Sequence, residues 1–316
     1  MALIALQVDD PSGWNYKGDT TYMLALEAQK RGHSLFYYMP EELSWVDGRV
    51  LAPLRAVRFE ESGEPRFTAE APVLSDLATM DVVMLRQDPP YDMAYLSTTY
   101  LLERLPQSTL VLNDPKAVRD APEKLWLMRY QEFMPPTLIT RSLEQVQTFA
   151  EEHQSIILKP LYGYGGRSVF KAAAGDGNIA ALVELWCEAS RDPFMVQAFL
   201  PEVARQDMRV LLINGKVEGV TGRIPAAGEV RANFRVGGSA AAVELNAKQH
   251  AICDAIGPAL AEAGIYFAGI DLIGDYLTEV NVTSPTGFRA VYDLYGINAA
   301  VAFWDGVETI LASRAQ

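Results

Sequence analysis

The dipeptide Asn214-Gly215, set between an apolar run at 208–213 and another at 216–222, restricts the fold of this chain more than any other short segment. Asn-Gly favours a two-residue turn in which both positions take positive φ, so the flanking runs must pair as antiparallel strands. A helix is predicted over 246–263, with Ile252, Ile256 and Leu260 at four-residue spacing and Gly264 as its cap; a second hairpin follows over 266–282. The first third obeys a different rule. Residues 3–8 read as a buried strand, Asp19 as the N-cap of a helix through Arg31 that Gly32 ends, and 34–38 as the next strand. Short alternating runs broken by Asp47-Gly48 and Ser62-Gly63 suggest hairpins inserted over 43–67. Core strands at 82–85 and 110–112 flank a helix at 94–104, and this alternation predicts an open α/β sheet.

The middle of the chain changes character after Asn113-Asp114-Pro115. Asp120-Ala121-Pro122-Glu123 has the form of a capping box with proline in the first turn, which predicts a helix carrying Lys124 near its N-terminus and stopped by Met134-Pro135-Pro136. A helix at 143–153 and a strand at 155–159 then lead into the most glycine-dense loop of the sequence. The expected division is 1–120, 121–200 and 201–316.

Composition narrows the function. The 316 residues hold 27 Lys+Arg against 40 Asp+Glu, a net charge of −13, which argues against nucleic-acid binding through phosphates. Cys187 and Cys253 are the only cysteines, which excludes a disulfide scaffold and fits a reducing, cytoplasmic setting; His33, His153 and His250 are too scattered to suggest a metal site. Residues 1–10 lack the pattern of a signal peptide, and no stretch reaches the roughly 18 apolar residues that span a bilayer, so no membrane association is expected.

Three constellations could carry chemistry. Lys159-Pro160-Leu161-Tyr162-Gly163-Tyr164-Gly165-Gly166-Arg167-Ser168 offers glycines whose backbone N–H groups can converge on an anion, a phosphate cradle or else a flexible hairpin loop. Lys124 and Lys159 would add point charges to it. In 269–281, a three-residue turn Gly274-Asp275-Tyr276 would place Asp271 opposite Glu279 and put both on one face with Asn281. Those oxygens suit Mg²⁺, although a solvated strand face has the same pattern. Arg209, Arg223, Arg231 and Arg235 fall within 27 residues, the last two in a glycine-bounded segment that reads as a lid or as a surface loop.

With these residues in place, the chain resembles the bacterial type of glutathione synthetase, a family of ATP-grasp ligases, over essentially its full length. The most specific stretches are Arg86-Gln-Asp-Pro-Pro-Tyr-Asp92, Ile157-Leu-Lys-Pro-Leu161 with its glycine loop, and Leu277-Thr-Glu-Val-Asn-Val-Thr-Ser-Pro-Thr-Gly287. The resemblance implies a mixed α/β and α+β fold: an N-terminal open α/β (pre-ATP-grasp) domain, then an ATP-grasp fold of two antiparallel-sheet subdomains. It implies nucleotide contacts from Lys124, Lys159, Gly163, Gly165, Gly166 and Ser168, from the hinge residues Gln197, Phe199 and Leu200, and from Asp207 near the ribose. Asp271, Glu279 and Asn281 become ligands of Mg²⁺ or Mn²⁺. Arg209, Arg223, Arg231 and Asn233 would contact the peptide or the transferring phosphoryl group. Lys17, Asp19, Thr20 and Arg86 would hold the γ-glutamyl end, and Ser284, Pro285 and Thr286 the peptide.

The implied reaction joins γ-glutamylcysteine to glycine with conversion of ATP to ADP and phosphate, in a homo-oligomer, either a dimer or a tetramer. Phosphorylation turns an unreactive carboxylate into an acyl phosphate that an amine can displace, so no protein nucleophile is required. The sequence departs from the family pattern at 8–14, Tyr164, Arg167, 231–238 and 288–290. These are substrate-facing loops, so a related ligase with another acceptor amine or γ-glutamyl peptide is the alternative.

Overall fold

The computed structural model describes residues 1–225 and 238–314. Three sheets follow one another along the chain. The first contains β1 (Leu3–Gln7), β2 (Ser34–Tyr38), β3 (Ser44–Val46), β4 (Arg49–Phe59), β5 (Phe67–Ala69), β6 (Val73–Asp76), β7 (Val82–Leu85) and β8 (Leu110–Leu112). Its order is β3-β4-β2-β1-β7-β8, with β5 and β6 also pairing β4. The β2-β1-β7-β8 segment is parallel, and α1 (Thr20–Lys30) and α2 (Met93–Leu102) connect its strands. Asp19 caps α1 by accepting from Tyr22 N at 2.8 Å, as its position in the sequence predicts.

Helix α3 (Pro115–Asp120) corrects one expectation. The helix starts at Pro115 under an Asp114 cap and ends at the residue where the sequence pattern would begin it. Pro122 disfavours helical geometry at the residue before it, and Ala121 sits at φ −121°, ψ 60°. Lys124 therefore lies in a turn, followed by 3₁₀ turns over Trp126–Phe133 that contain a kink at Tyr130.

The second sheet comprises β9 (Thr137–Thr140), β10 (Ser155–Pro160), β11 (Phe170–Ala173) and β12 (Phe194–Ala198), ordered β11-β10-β12-β9 and antiparallel throughout. Helices α4 (Leu143–His153) and α5 (Asn178–Ala189) cover it. After α6 (Val203–Gln206), the third sheet is formed by β13 (Asp207–Ile213), β14 (Lys216–Ile224), β15 (Ser239–Ala241), β16 (Phe267–Ile273) and β17 (Tyr276–Asn281). Its order is β15-β14-β13-β16-β17. Helix α7 (Ala247–Glu262) precedes β16, and α8 (Phe288–Tyr295) and α9 (Ala299–Arg314) end the described chain.

The β13–β14 hairpin turns at Asn214 (φ 46°) and Gly215 (φ 75°), the conformation that its dipeptide demands. Helix α7 crosses this turn at Gly257, where an added Cβ would lie 2.1 Å from Gly215 O. The neighbour is backbone and cannot swing aside. Gly257→Ala should therefore destabilise the protein by roughly 1–3 kcal/mol, read as a fall in Tm; an unchanged Tm would mean that the helix and turn do not meet.

Two hydrophobic clusters run between the first and third sheets. One joins Ala5, Val83 and Leu85 to Val210, Leu212 and Ile270, and the other joins Ile4, Leu6 and Met84 to Leu211, Phe267 and Phe303. Asn113, at the end of β8, fastens them further. Its Nδ2 donates to Phe267 O and Val282 O at 2.8 Å each, and its Oδ1 accepts from Phe267 N at 2.8 Å. The second sheet and its helices have a core of their own, centred on Val146, Ile156, Leu158, Val183 and Val196.

Candidate active site

The β16–β17 ribbon turns through two residues, Gly274 and Asp275, because Ile273 pairs with Tyr276 and Leu272 with Leu277. A three-residue turn was the condition on which the sequence pattern set Asp271 opposite Glu279. A two-residue turn alone would place Asp271 opposite Thr278 and send Glu279 to the other face. A bulge intervenes: Thr278 is the extra residue, its hydroxyl donates to Asp271 O at 3.1 Å, and Asp271 pairs with Glu279 after all. Gly269 pairs with Asn281 in the same register, so Asp271, Glu279 and Asn281 share a face. Asn281 Nδ2 donates to Gly269 O at 3.2 Å, which uses one of the amide's two donors and orients the group.

Four buried or half-buried carboxylates and four buried cations interlock around this face. Asp271 accepts a bidentate pair from Arg209, through Nε to Oδ1 and through Nη2 to Oδ2 at 3.0 Å, and Arg223 Nη2 lies 3.1 Å from Oδ2. Burial pushes the Asp271 carboxyl up, but the two guanidiniums overcome this and hold it below the usual range. Glu279 faces Lys159 at 3.6 Å and Lys124 at 3.9 Å, and these ammoniums likewise outweigh its burial. Lys124 Nζ also donates to Glu123 at 2.5 Å and to Gly163 O at 2.7 Å, so it ties the glycine loop to this centre. Burial lowers Lys159, with Glu279 as the opposing influence.

Asp207, at the start of β13, accepts from Arg223 Nε at 2.6 Å and from its Nη2 at 2.5 Å. Burial pushes its carboxyl up to about 6, with Arg223 only partly offsetting this. A carboxyl raised above its unfolded value of 3.8 contributes stability below about pH 4 and loses it as pH rises through 6. Between pH 4 and pH 7, the ligand-free protein should lose roughly 2 kcal/mol more stability than Asp207→Asn, at 1.36 kcal/mol per unit. Parallel denaturant-stability curves for the two proteins would exclude the shift.

Adjoining cavities surround the centre, three of which matter most. The first, between the second and third sheets, is walled by Ile157, Val169, Phe199, Leu200 and Ile273, with Lys159, Asp207 and Glu279 among its polar residues. Gln197 and Gly166 also line it. Gln197 Nε2 donates to Thr137 Oγ1 at 2.9 Å. In the hinge, Ala198 N and Phe199 N donate to Pro136 O and Ser155 O, whereas Leu200 N–H has no partner among the described residues. The second cavity shares Arg223 and Glu279 with the first and adds Glu123, Tyr164, Gly165, Arg209 and Asn281. The third shares Asp88, Ser284 and Thr286 with the second, and reaches Asp9, Asp19 and Arg86.

The remaining predicted residues divide by position. Gly165 and Gly166 take φ of 62° and 75°, as does Ser168 at 56°, but Ser168 is exposed. Pro285 lines the second cavity. Arg86 is 6 % exposed; its Nε donates to Thr21 Oγ1 and its Nη2 to Pro285 O, both at 3.0 Å, and its Nη1 has no partner among the described residues. Thr20 is buried, its hydroxyl accepting from Gly287 N at 3.2 Å and Phe288 N at 3.4 Å, and Lys17 is exposed. Arg231, Asn233 and Arg235 lie outside the described residues. Sequence reasoning missed Glu123, which it read as part of a helix cap, and Asp9 and Asp88. These last two follow the carboxyl ends of the adjacent parallel strands β1 and β7, the edge where open α/β sheets bind ligands, and that rule could have found them.

Comparison with known proteins adds identity to this geometry. The sequence model described as "Prokaryotic glutathione synthetase, N-terminal domain" matches residues 2–119, and "Prokaryotic glutathione synthetase, ATP-grasp domain" matches 123–296. A glutathione synthetase of Brucella melitensis is 47% identical over 309 residues, covering 98% of this chain and 99% of the relative. One of Agrobacterium fabrum is 46% identical over 305 residues, covering 96% of each. Among solved structures, D-cycloserine synthetase DcsG superimposes with a TM-score of 0.68 at 14% identity, covering 98% of this chain and 99% of that one. The ATP-grasp ligase PsnB, complexed with minimal precursor, Mg and ADP, gives a TM-score of 0.61 at 16% identity, covering 98% of both chains. Those structural likenesses establish a shared ATP-grasp fold. By matches that together span nearly all of its length, the chain belongs to the prokaryotic glutathione synthetase family.

Proposed function

We propose that this protein joins γ-glutamylcysteine to glycine, at the expense of ATP, through an acyl phosphate. The observation that carries this reading is the meeting of Asp271, Glu279 and Asn281 with Lys124 and Lys159 at the junction of an apolar-walled cavity and a polar one. Adenine fits the apolar end, with Leu200 N–H as the hinge donor. The two lysines and the backbone of the 163–168 loop bind the phosphates. Ser284, Thr286, Asp19 and Arg86 line the cavity for the dipeptide.

Asp271, Glu279 and Asn281 form a hard-oxygen donor set suited to Mg²⁺. Asp271 has room for it, because the described contacts use three of a carboxylate's roughly four lone-pair sites. Bound there, the ion would neutralise phosphate charge during transfer. The protein's own side chains do the rest. Lys124, Lys159 and Arg223 stabilise the equatorial oxygens as the cysteinyl carboxylate attacks the γ-phosphorus, and the fixed 284–286 turn holds that carboxylate in line. The glycine amine then displaces phosphate from the acyl carbon.

Purified protein should release ADP and phosphate at a sustained rate only when γ-glutamylcysteine and glycine are both supplied. Oxygen-18 placed in the cysteinyl carboxylate should appear in the phosphate. Unlabelled phosphate would refute the acyl phosphate. A higher kcat/KM with another amine than with glycine would replace the acceptor.

A further inference from the structure

Arg209 projects from β13 beneath the active centre, and its guanidinium is already committed on both sides. One edge, Nε and Nη2, grips Asp271; Nη1 donates to Thr286 O at 3.2 Å. The side chain is also confined, because a Cβ on Gly269 would lie 3.0 Å from Arg209 Cδ. The same 284–288 segment is fixed from the opposite direction by the first sheet and α1. Arg86 holds Pro285 O, and Thr20 accepts from Gly287 N and Phe288 N. Four consecutive residues thus have a backbone polar atom pinned, and Arg209 is the side chain that relates them to Asp271.

We infer that Arg209 is a positioning residue that braces the metal-binding carboxylate against the peptide-facing turn, and does not itself contact the substrate. The inference rests on the reading above for the identity of the two ligands. Swinging Arg209 toward a substrate would break a buried bidentate pair and leave Asp271 with Arg223 alone, a change that is strongly unfavourable in a buried setting. The planar fork matters as much as the charge. An ammonium is a point donor and cannot grip both carboxylate oxygens while also holding Thr286 O.

The test measures two bindings without turnover, in Arg209→Lys and Arg209→Met. Mn²⁺ affinity is read by electron paramagnetic resonance with ADP present, and γ-glutamylcysteine affinity by calorimetry with a non-hydrolysable ATP analogue and Mg²⁺. A brace predicts that both weaken, by about tenfold or more, the range seen when groups that orient metal ligands are removed. Binding of ADP without divalent metal should stay within about twofold of wild type, which also certifies that the variants are folded. Weakened dipeptide binding with unchanged Mn²⁺ affinity in the lysine variant would make Arg209 a substrate contact and overturn the inference. Wild-type protein that binds no γ-glutamylcysteine would instead overturn the proposed activity.

Discussion

Glu279→Gln should lower kcat by about 10²–10³-fold in a protein that remains folded, the size of loss seen when one preorganised electrostatic partner is removed. The amide keeps the shape and one oxygen of the side chain. What disappears is the charge that faces Lys159 at 3.6 Å and Lys124 at 3.9 Å. The Mg²⁺ concentration giving half-maximal rate should rise by at least about tenfold, because a neutral oxygen is a poorer ligand for a hard cation. Phosphate release measured across a Mg²⁺ titration reads both effects. A wild-type kcat would remove Glu279 from the centre.

Lys159→Met should have the opposite balance of activity and stability. Lys159 is 5 % exposed, and burial depresses its ammonium. A basic group whose folded pKa is lowered destabilises the fold at neutral pH, where the unfolded chain holds the proton more firmly. Methionine fills similar space without that penalty, and Glu279 keeps Lys124 as its counter-ion. Tm should therefore stay level or rise, while the ATP KM rises at least about tenfold and kcat falls at least about 10²-fold, as expected for a lost phosphate-binding cation. A variant with lowered Tm and an unchanged ATP KM would show that Lys159 is a structural cation.

Much of this architecture was legible wherever the determinants are local. Asn214-Gly215 specified its turn, Asp19 its cap, and Asn246 the start of α7. Local reasoning failed where two local rules competed. Asp120-Ala121-Pro122-Glu123 satisfies a capping box, but Asp114-Pro115 starts a helix six residues earlier, and Pro122 then stops a second one from forming. The 269–281 ribbon is subtler: the shared face was conditional on a three-residue turn, and the ribbon reaches it by another route. A three-residue loop and a two-residue loop with one bulged residue give the same cross-strand partners at Asp271, and alternation alone cannot distinguish them. The hydrogen bonds of Arg209 and Thr20 to the 286–288 backbone were illegible for another reason. Their partners are backbone atoms of residues 77 and more than 260 positions away, which no motif encodes.

The sharing of apolar side chains among the three sheets has a mechanical consequence. The first and third sheets interdigitate and are stapled by Asn113, so they form a single chassis, whereas the second sheet has a core of its own and lends Met195 and Ile139 to the shared one. The cavity proposed for the nucleotide lies along that seam, with one wall on each body, and the cavity proposed for the dipeptide lies mainly in the chassis. The two proposed seats therefore differ in build: the one for the purine is divided between two bodies, and the one for the peptide belongs mainly to one.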